Sequence, residues 1–362
     1  MPVSSLRAAV EPAAIDRALR DFFAERRTEA AALGADFAAT VAELENYVLR
    51  AGKRIRPAFA WLGWTGAGGD PDDPLAPAVL RACSGFELLH ASGLIHDDLI
   101  DASETRRGRP AAHVVYAERH RMRRFCGDPG SFGAGAAILV GDLALVWADV
   151  MVRASGLPPD AQTRLAPVWS AVRSEVMYGQ LLDLISQARE EEDVHAALLV
   201  DRYKTASYTV ERPLQFGAAI AGADAELVAA YRAFGADIGI AFQLRDDLLG
   251  VFGDPAVTGK PSGDDLREGK RTVLLATALK HADERDPKAA AFLRAVIGTD
   301  LTADDLARAR AVLTDVGAVD HIEREITRRA GRAVAVLEAS DATGSAKQQL
   351  AAMAVKATQR VR

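Results

Sequence analysis

The chain has 362 residues, of which 49% are hydrophobic, so it is long enough to bury one large core or two ordinary ones. Its formal net charge of -6 argues against general electrostatic attraction to nucleic acid or to an anionic membrane, and we expect neither as a partner. The two cysteines, Cys83 and Cys126, give neither a disulfide framework nor a metal-ligand spacing, which favours a cytoplasmic location.

Helical periodicity dominates the chain, and we find no sustained strand alternation. The stretch 36–52 repeats apolar residues at steps of three and four, with Asp36 as the predicted N-cap and Gly52 as the predicted stop. Pro213 predicts a kink in one of the later helices. The same periodicity predicts helices over 79–101, 136–155, 168–188, 201–222 and 225–253.

The most apolar stretch, 136–152, carries Asp142 and Asp149, so it predicts a buried helix, and we expect no transmembrane segment. The breaks between helices are short and rich in Gly, Pro and Asp, and neither a repeat nor a linker interrupts the chain. The sequence therefore predicts a single all-α domain over 1–362. Its ends, 1–10 and 343–362, are expected to fray. The predicted breaks are 66–77, 126–135 and 254–269.

Three aspartates crowd the predicted helix end in "HDDLIDASETRRGRP", residues 96–110. Asp97 and Asp101 are i,i+4 neighbours, and Asp98 is i,i+3 from Asp101, so their Cβ atoms lie ~5–6 Å apart. Such carboxylates repel by ~1 kcal/mol or more unless a cation bridges them, and oxygen ligands alone favour Mg²⁺. Taken alone, the pattern fits a solvated helix end equally well.

A second acidic pattern ends another apolar helix in "FQLRDDLLGVFGD", residues 242–254. Asp246 and Asp247 lie near the helix end, and Asp254 follows two turns later. Two such helices facing each other across a bundle would share metal ions on a polyphosphate. Basic residues flank both patterns in the segments 51–57, 106–110, 203–208 and 258–272.

Together these motifs resemble the trans-isoprenyl diphosphate synthases of the polyprenyl synthetase family. The resemblance rests on "GKRIRP", on the first aspartate motif with its "RRG", on the "KT" pair, and on "FQ..DD" with the following "GD" and "GK". It spans residues 52–272 and is greatest to bacterial geranylgeranyl and longer-chain synthases. It implies an all-α helical bundle around a deep central cavity, a homodimer, and three Mg²⁺ ions in each active site.

The resemblance also implies which aspartates bind metal. Two Mg²⁺ ions would be held by Asp97 and Asp101 with Asp98 in support, and the third by Asp246. Asp247 and Asp254 would support the third ion. One departure weakens this second motif: where many relatives have another aspartate, this chain has Gly250.

The remaining implied roles concern the two substrates, an allylic prenyl diphosphate and isopentenyl diphosphate. Thr205 and Gln243 would stand near the ionising carbon, together with Lys204 as a catalytic residue. His90 lies two turns before Asp97 on the same helix face, although a lone His there is more often a core residue. The residues implied to bind the allylic diphosphate are Arg106, Lys204 and Lys260, and those for isopentenyl diphosphate are Gly52, Lys53, Arg56, His90 and Arg107.

Small residues before the first motif indicate the product length. In the family, bulky residues there stop chain growth, whereas this chain has Ser92 and Gly93. Phe86 lies eleven residues before Asp97, ~16 Å down the helix axis from it, and we predict it as the floor of the pocket, with Trp147 as a neighbour. The alternative is that Phe86 and Trp147 are ordinary core residues with no role in product length. The expected product is geranylgeranyl diphosphate (C20), with longer polyprenyl diphosphates as the alternative.

Three other functions share part of this pattern. A terpene cyclase uses similar aspartates but leaves "GKRIRP" and Arg107 unexplained. A head-to-head condensing enzyme has two aspartate motifs without the "RRGRP" and "GDDLREGKRT" segments. A non-catalytic subunit of a hetero-oligomeric synthase would be expected to carry degraded motifs, and only Gly250 departs from the pattern.

Overall fold

The computed structural model describes residues 10–50, 52–106, 108–254 and 263–358. These residues are helical almost throughout, which confirms the prediction of an all-α fold. Their only strands form a two-residue antiparallel pair, β1 (Thr105–Arg106) with β2 (Arg109–Pro110). The helices are α1 (Pro12–Leu33), α2 (Ala35–Leu49), α3 (Ile55–Gly66), α4 (Ala76–Ile100), α5 (Ala112–Met122), α6 (Pro129–Arg153), α7 (Pro159–Ala188), α8 (Val194–Val200), a π-helix (Asp201–Glu211), α9 (Arg212–Ala221), α10 (Ala225–Phe252), α11 (Asp264–Arg267), α12 (Val273–Arg285), α13 (Pro287–Val296), α14 (Ala303–Asp315), α15 (Ala318–Ala339) and α16 (Gly344–Thr358).

Proximity of Cα atoms divides the chain into two compact units, and each has its own packing. The prediction of one domain over 1–362 stays a prediction. The first unit comprises the described residues of Met1–Trp169, Pro213–Asp224 and Ala342–Ala346, and the second unit those of Ser170–Arg212, Ala225–Asp341 and Lys347–Arg362.

Helix α4 organises the first unit, where it packs against α6, α3 and α1. Gly85 permits a close approach to α6, because a Cβ at this position would lie 2.8 Å from Cγ2 of Val152. Phe86, the next residue, is fully buried and packs edge-to-face against Trp169 and Phe216, with ring centroids 5.4 and 5.0 Å away. These contacts fix the helix that ends in the first aspartate motif.

Helix α10 organises the second unit, where it packs against the π-helix and α15. Gly235 and Gly239 face the backbone of the π-helix: their Cβ positions would lie 2.4 Å from Cα of Glu211 and 2.4 Å from Cα of Ala206. A glycine on α7 does the same, since a Cβ at Gly179 would lie 2.2 Å from the backbone nitrogen of Lys204. The backbone of the π-helix therefore packs directly against glycine positions of α7 and α10.

The predicted helix over 201–222 is continuous, and its helix type changes next to Pro213, where a kink was predicted. The backbone N–H of Arg212 still donates to the carbonyl of Ser207, five residues back, as in the π-helix before it. Pro213 follows at once and has no N–H to donate. The wider π-turns thus end at the proline, where the α-helix α9 takes over.

Several predicted boundaries were wrong by a few residues. Helix α2 ends at Leu49, before the predicted stop at Gly52, and its N-cap is Gly34, so Asp36 lies in the first turn. Helix α6 begins at Pro129, inside the predicted break, because the Asp128 side chain accepts from the backbone N–H of Ser131 at 2.7 Å and caps it.

The expectation that the C-terminal tail frays was wrong for most of 343–362. Helix α16 covers Gly344–Thr358, and Ala346, Leu350 and Ala354 are buried at four-residue intervals along it. Small apolar side chains at this spacing form one packed face. Of the predicted N-terminal tail, residues 1–9 lie outside the described residues.

Two described helices, α6 and α10, are long and apolar enough to span a membrane by length and composition alone. Within their most apolar windows, 44% of α6 and 61% of α10 is buried inside the protein. The core helices of many proteins meet the same criterion, so this is weak evidence for a span, and the expectation of no transmembrane segment stays a prediction.

Candidate active site

The first acidic cluster, Asp97, Asp98 and Asp101, lies at the C-terminal end of α4. Asp98 is fully buried, and the other two carboxylates are half-buried. The β1–β2 pair brings Arg106 back onto the cluster: its Nε donates to Asp98 Oδ1 at 2.5 Å and a terminal nitrogen donates to Asp97 Oδ2 at 3.0 Å. The chain therefore places a fixed cation directly beside the predicted metal-binding carboxylates.

The electrostatics of this cluster leave room for further positive charge. Burial raises the pKa of Asp98, although the neighbouring Arg106 guanidinium acts in the opposite direction. Asp98 Oδ2 is buried without a hydrogen-bond partner among the described residues. Since an orphaned carboxylate oxygen is costly to bury, the cluster suits a divalent cation.

The second acidic cluster, Asp246 and Asp247, lies in the last two turns of α10. Asp246 is exposed and Asp247 is buried. Gln243 Nε2 donates to Asp247 Oδ1 at 2.7 Å, and the hydroxyl of Thr205 donates to Gln243 Oε1 at 2.8 Å. Three residues that the sequence assigned to one reaction thus form a single hydrogen-bonded chain from the π-helix to α10.

Burial and neighbouring carboxylates raise the pKa of Asp247 well above its ordinary value, and Asp201 and Asp265 contribute most of the charge repulsion. Burial likewise raises the pKa of Asp201 to about 8. One oxygen of Asp247, Oδ2, is buried without a hydrogen-bond partner in the described part of the chain. The second cluster, like the first, suits an added cation.

Neither cluster forms a closed metal cage. Within residues 10–50, 52–106, 108–254 and 263–358, no three His, Cys, Asp or Glu side chains are grouped to hold a metal ion. Mg²⁺ is usually bound by one or two carboxylates, with waters and substrate phosphates as its other ligands. The donor sets therefore fit Mg²⁺ bound together with a diphosphate.

The structure explains the glycine in the second motif. A Cβ at Gly250 would lie 1.9 Å from Oδ2 of Asp265, which belongs to the short helix α11. The carboxylate of Asp265 therefore occupies the space where a side chain at position 250 would begin. Asp265 was missed from sequence; it belongs to the acidic pair in "GDDLREGK", which lies outside the aspartate motif itself.

Lys204 lies on the π-helix, and its ammonium is 2.6 Å from Oδ2 of Asp183 on α7. Asp183 is mostly buried and also accepts from Gln187 Nε2 at 3.3 Å. This ion pair orients a predicted diphosphate-binding cation. Asp183 was missed from sequence, although it is the one acidic residue of the apolar stretch "YGQLLDLIS".

The described residues predicted to bind isopentenyl diphosphate lie in the first unit, just before α3, on α3 and on α4. Gly52 and Lys53 are exposed just before α3, Arg56 is half-buried in the first turn of α3, and His90 is half-buried on α4. Asp254, which was predicted to support the third Mg²⁺ ion, is exposed and lies beyond the end of α10. Two further predicted residues, Arg107 and Lys260, lie outside the described residues.

The predicted chain-length residues occupy different environments. Ser92 is fully buried, whereas a Cβ at Gly93 would meet no described atom within 4 Å. Trp147 packs against Phe22 and Phe23, with centroids 6.1 Å from each, while Phe86 packs in the Trp169–Phe216 cluster. The predicted pairing of Phe86 with Trp147 is therefore not what the aromatic contacts show. The two rings belong to separate clusters.

Comparison with known proteins decides the family. The polyprenyl synthetase family model matches residues 38–313. The chain belongs to the polyprenyl synthetase family. A geranylfarnesyl diphosphate synthase of Aeropyrum pernix is 35% identical over 302 residues, covering 83% of this chain and 87% of that protein. A (2E,6E)-farnesyl diphosphate synthase of Mycobacterium tuberculosis is 33% identical, over 74% of this chain and 67% of that protein.

A solved structure matches almost the whole chain. The geranylgeranyl pyrophosphate synthase of Corynebacterium glutamicum, complexed with isoprenyl diphosphate and magnesium, has a TM-score of 0.92 and 45% sequence identity. The match covers 97% of this chain and 98% of that one. This polyprenyl synthetase family member is therefore a prenyltransferase with the all-α fold of isoprenyl diphosphate synthases. Its relatives include geranylfarnesyl, farnesyl and geranylgeranyl diphosphate synthases.

Proposed function

We propose that this prenyltransferase condenses isopentenyl diphosphate head-to-tail with an allylic diphosphate of C5 to C15, and that the all-trans product is geranylgeranyl diphosphate (C20). The observation that supports it most is that both acidic clusters keep their aspartates, each with a buried carboxylate oxygen that has no hydrogen-bond partner among the described residues, in a chain matched over 38–313 by the family model. A non-catalytic subunit would have no need to retain such costly buried charge.

Three Mg²⁺ ions are proposed to bind, two at Asp97 and Asp101 and the third at Asp246. Bound Mg²⁺ would stabilise the negative charge on the departing diphosphate. Arg106 and Lys204 would bind the allylic diphosphate, and both are already held by carboxylates: Arg106 by Asp97 and Asp98, and Lys204 by Asp183. Fixed cations of this kind require little reorganisation when charge develops.

Protein groups would then control the allylic carbocation. The Thr205 hydroxyl and the Gln243 amide, joined at 2.8 Å, would place their dipoles near the ionising carbon. Exclusion of water protects the cation until the isopentenyl double bond attacks, and holding both substrates together removes much of the entropic cost. We assign the final proton to the released diphosphate.

The C20 product is supported by the environment of Gly93. The free space beside it, where no described atom lies within 4 Å of a Cβ, would let a growing chain pass this turn of α4, and the buried neighbour Ser92 is also small. The same observation, together with the similarity to the geranylfarnesyl diphosphate synthase of Aeropyrum pernix, favours a longer product as the second candidate.

We also propose a homodimer and a cytoplasmic location. Helix α6 exposes Phe132, Leu139 and Val146 at seven-residue spacing, with 40%, 70% and 57% of each residue accessible. A stripe of this kind suits a second copy of the same helix. The cytoplasmic proposal is supported by the two cysteines, Cys83 and Cys126, which are both free.

Product analysis tests the proposal directly. Purified protein is incubated with Mg²⁺, isopentenyl diphosphate and each of the C5, C10 and C15 allylic diphosphates, and products are identified by mass spectrometry. We expect a C20 product that a chelator abolishes. A longer product would support the second candidate. Absence of any product from all three primers would contradict the catalytic proposal and favour the subunit interpretation.

A further inference from the structure

A buried arginine stands inside the basic segment "GKRIRP". Arg54 is 5% exposed, whereas Lys53 before it is exposed and Arg56 after it is half-buried. Its backbone is left-handed, with φ 49° and ψ 38°, at the N-cap position of α3. A non-glycine residue in this conformation is strained, and a buried guanidinium is costly unless it is fully hydrogen-bonded. Strong contacts must therefore hold Arg54 in place.

Those contacts tie the start of α3 to three other helices of the first unit. Arg54 Nε donates to Asp16 Oδ1 on α1 at 2.8 Å. One terminal nitrogen donates to Glu87 Oε2 on α4 at 2.5 Å and to the carbonyl of Val48 on α2 at 2.9 Å. The second terminal nitrogen reaches the carbonyl of Arg50 at 3.4 Å. Every nitrogen of the guanidinium is thus engaged.

The acceptor on α4 connects this network to the proposed substrate site. Glu87 is itself 6% exposed and lies one turn before His90, so the two side chains share a helix face. Lys53 and Arg56 flank Arg54 within two residues. The buried Arg54–Glu87 ion pair therefore fixes the backbone around Arg54 relative to α4. Two of the proposed isopentenyl diphosphate ligands lie on this backbone segment, and the third, His90, lies on α4.

We propose that Arg54 is a positioning residue for the isopentenyl diphosphate site. By locking the left-handed turn and bonding Glu87, it holds Lys53 and Arg56 in register with His90 without touching the substrate. This inference rests on the proposed function. The inference requires a planar guanidinium at position 54, because a lysine ammonium is a single point of charge and cannot reach acceptors on three helices at once.

The variant Arg54→Lys tests the requirement for geometry while preserving charge. We expect the KM for isopentenyl diphosphate to rise about tenfold or more, while the KM for the allylic diphosphate stays within about twofold. Isothermal titration calorimetry with isopentenyl diphosphate should show a matching loss of affinity. Glu87→Gln, which keeps the shape of the acceptor, should shift the same KM in the same direction by a smaller factor.

Arg81→Lys is the matched control. Arg81 also joins α4 to α1, through a bidentate pair with Glu25 at 3.0 and 2.8 Å, but it lies outside the basic segment. We expect both KM values of this variant to remain unchanged. If Arg54→Lys raises both KM values together, or lowers only thermal stability, Arg54 is an ordinary structural ion pair and the inference is overturned. A wild-type protein that consumes no isopentenyl diphosphate would instead overturn the proposed function, and the inference with it.

Discussion

Gly93 lies one turn before Asp97 on α4, and, apart from the backbone of its own helix, no atom of the described residues lies within 4 Å of the position where its Cβ would be. A phenylalanine there would project into this space and block an elongating chain. We expect Gly93→Phe to shorten the main product from C20 to C15, as read by mass spectrometry of the prenyl products. The control is Gly331→Phe, which makes the same change at an exposed position of α15 with equally open surroundings. An unchanged product in Gly93→Phe would remove this residue from the control of chain length.

Asp201 offers a prediction about stability and pH. Burial raises its pKa to about 8, whereas the unfolded chain should titrate at ~4. Between these values the native state keeps a proton that the unfolded state releases, so the free energy of unfolding falls as pH rises. In Asp201→Asn this dependence should be shallower by at most about 1.4 kcal/mol per pH unit, and the variant should gain stability relative to wild type near pH 8.

Urea unfolding of wild type and Asp201→Asn at several values between about pH 5 and about pH 8 measures this difference. Asp160→Asn serves as the control, because the hydrogen bond from Arg164 lowers the pKa of Asp160 and it stays ionised in both states over this range. Parallel stability curves for wild type and Asp201→Asn would show that Asp201 keeps no proton in the native protein.

The π-helix is the element whose placement matters most for the proposed chemistry, since it carries Lys204 and Thr205. Its backbone contacts glycines, and a Cβ at Gly239 would lie 2.4 Å from Cα of Ala206. Gly239→Ala must therefore displace the π-helix. We expect kcat to fall by about 10²-fold, as for a misplacement of ~1 Å, in steady-state assays. Gly331→Ala, on an exposed helix face, should leave kcat unchanged. Equal kcat in wild type and Gly239→Ala would show that close packing here is dispensable.

The helices differ in how accurately the sequence predicted their bounds and their type. The ends of α4 and α10 were predicted to within about three residues, and α7 ends where predicted but begins about nine residues earlier. All three were found because each carries an apolar face with helical periodicity. The π-helix was predicted only as a helix, because its conformation is accompanied by backbone contacts with glycines on α7 and α10 that sequence spacing does not reveal. Helix α16 was missed because small alanine side chains give a weak periodic signal.

The residues of the candidate site were also predicted only in part. Motif residues such as Asp97, Asp98 and Gln243 were predicted because their types and spacing are characteristic. Asp183 and Glu87, the partners of Lys204 and Arg54, were missed because these pairs join residues that are 21 and 33 positions apart in the chain. Contacts at such separations depend on tertiary packing, which one sequence does not display.

At the scale of the whole molecule, assembly is open to a direct test. Phe132, Leu139 and Val146 recur along α6 at intervals of ~10 Å, which gives an apolar seam. We expect the wild-type protein to sediment as a dimer and Leu139→Glu to sediment as a monomer, because a buried unpaired charge would destabilise the interface. Leu33→Glu, at an equally exposed leucine with 74% of its surface accessible, should remain dimeric. A monomeric wild type would contradict the assignment of α6 to an interface.

The central claim is that the two acidic clusters are both required to ionise an allylic diphosphate. The most direct measurement is the rate of isopentenyl diphosphate incorporation with saturating Mg²⁺ in Asp97→Ala, in Asp246→Ala and in the exposed-surface control Asp315→Ala. We predict that each cluster variant loses about 10²–10³-fold or more in kcat while circular dichroism shows the wild-type helix content, and that the control keeps full activity. Wild-type turnover in either folded cluster variant would contradict the account.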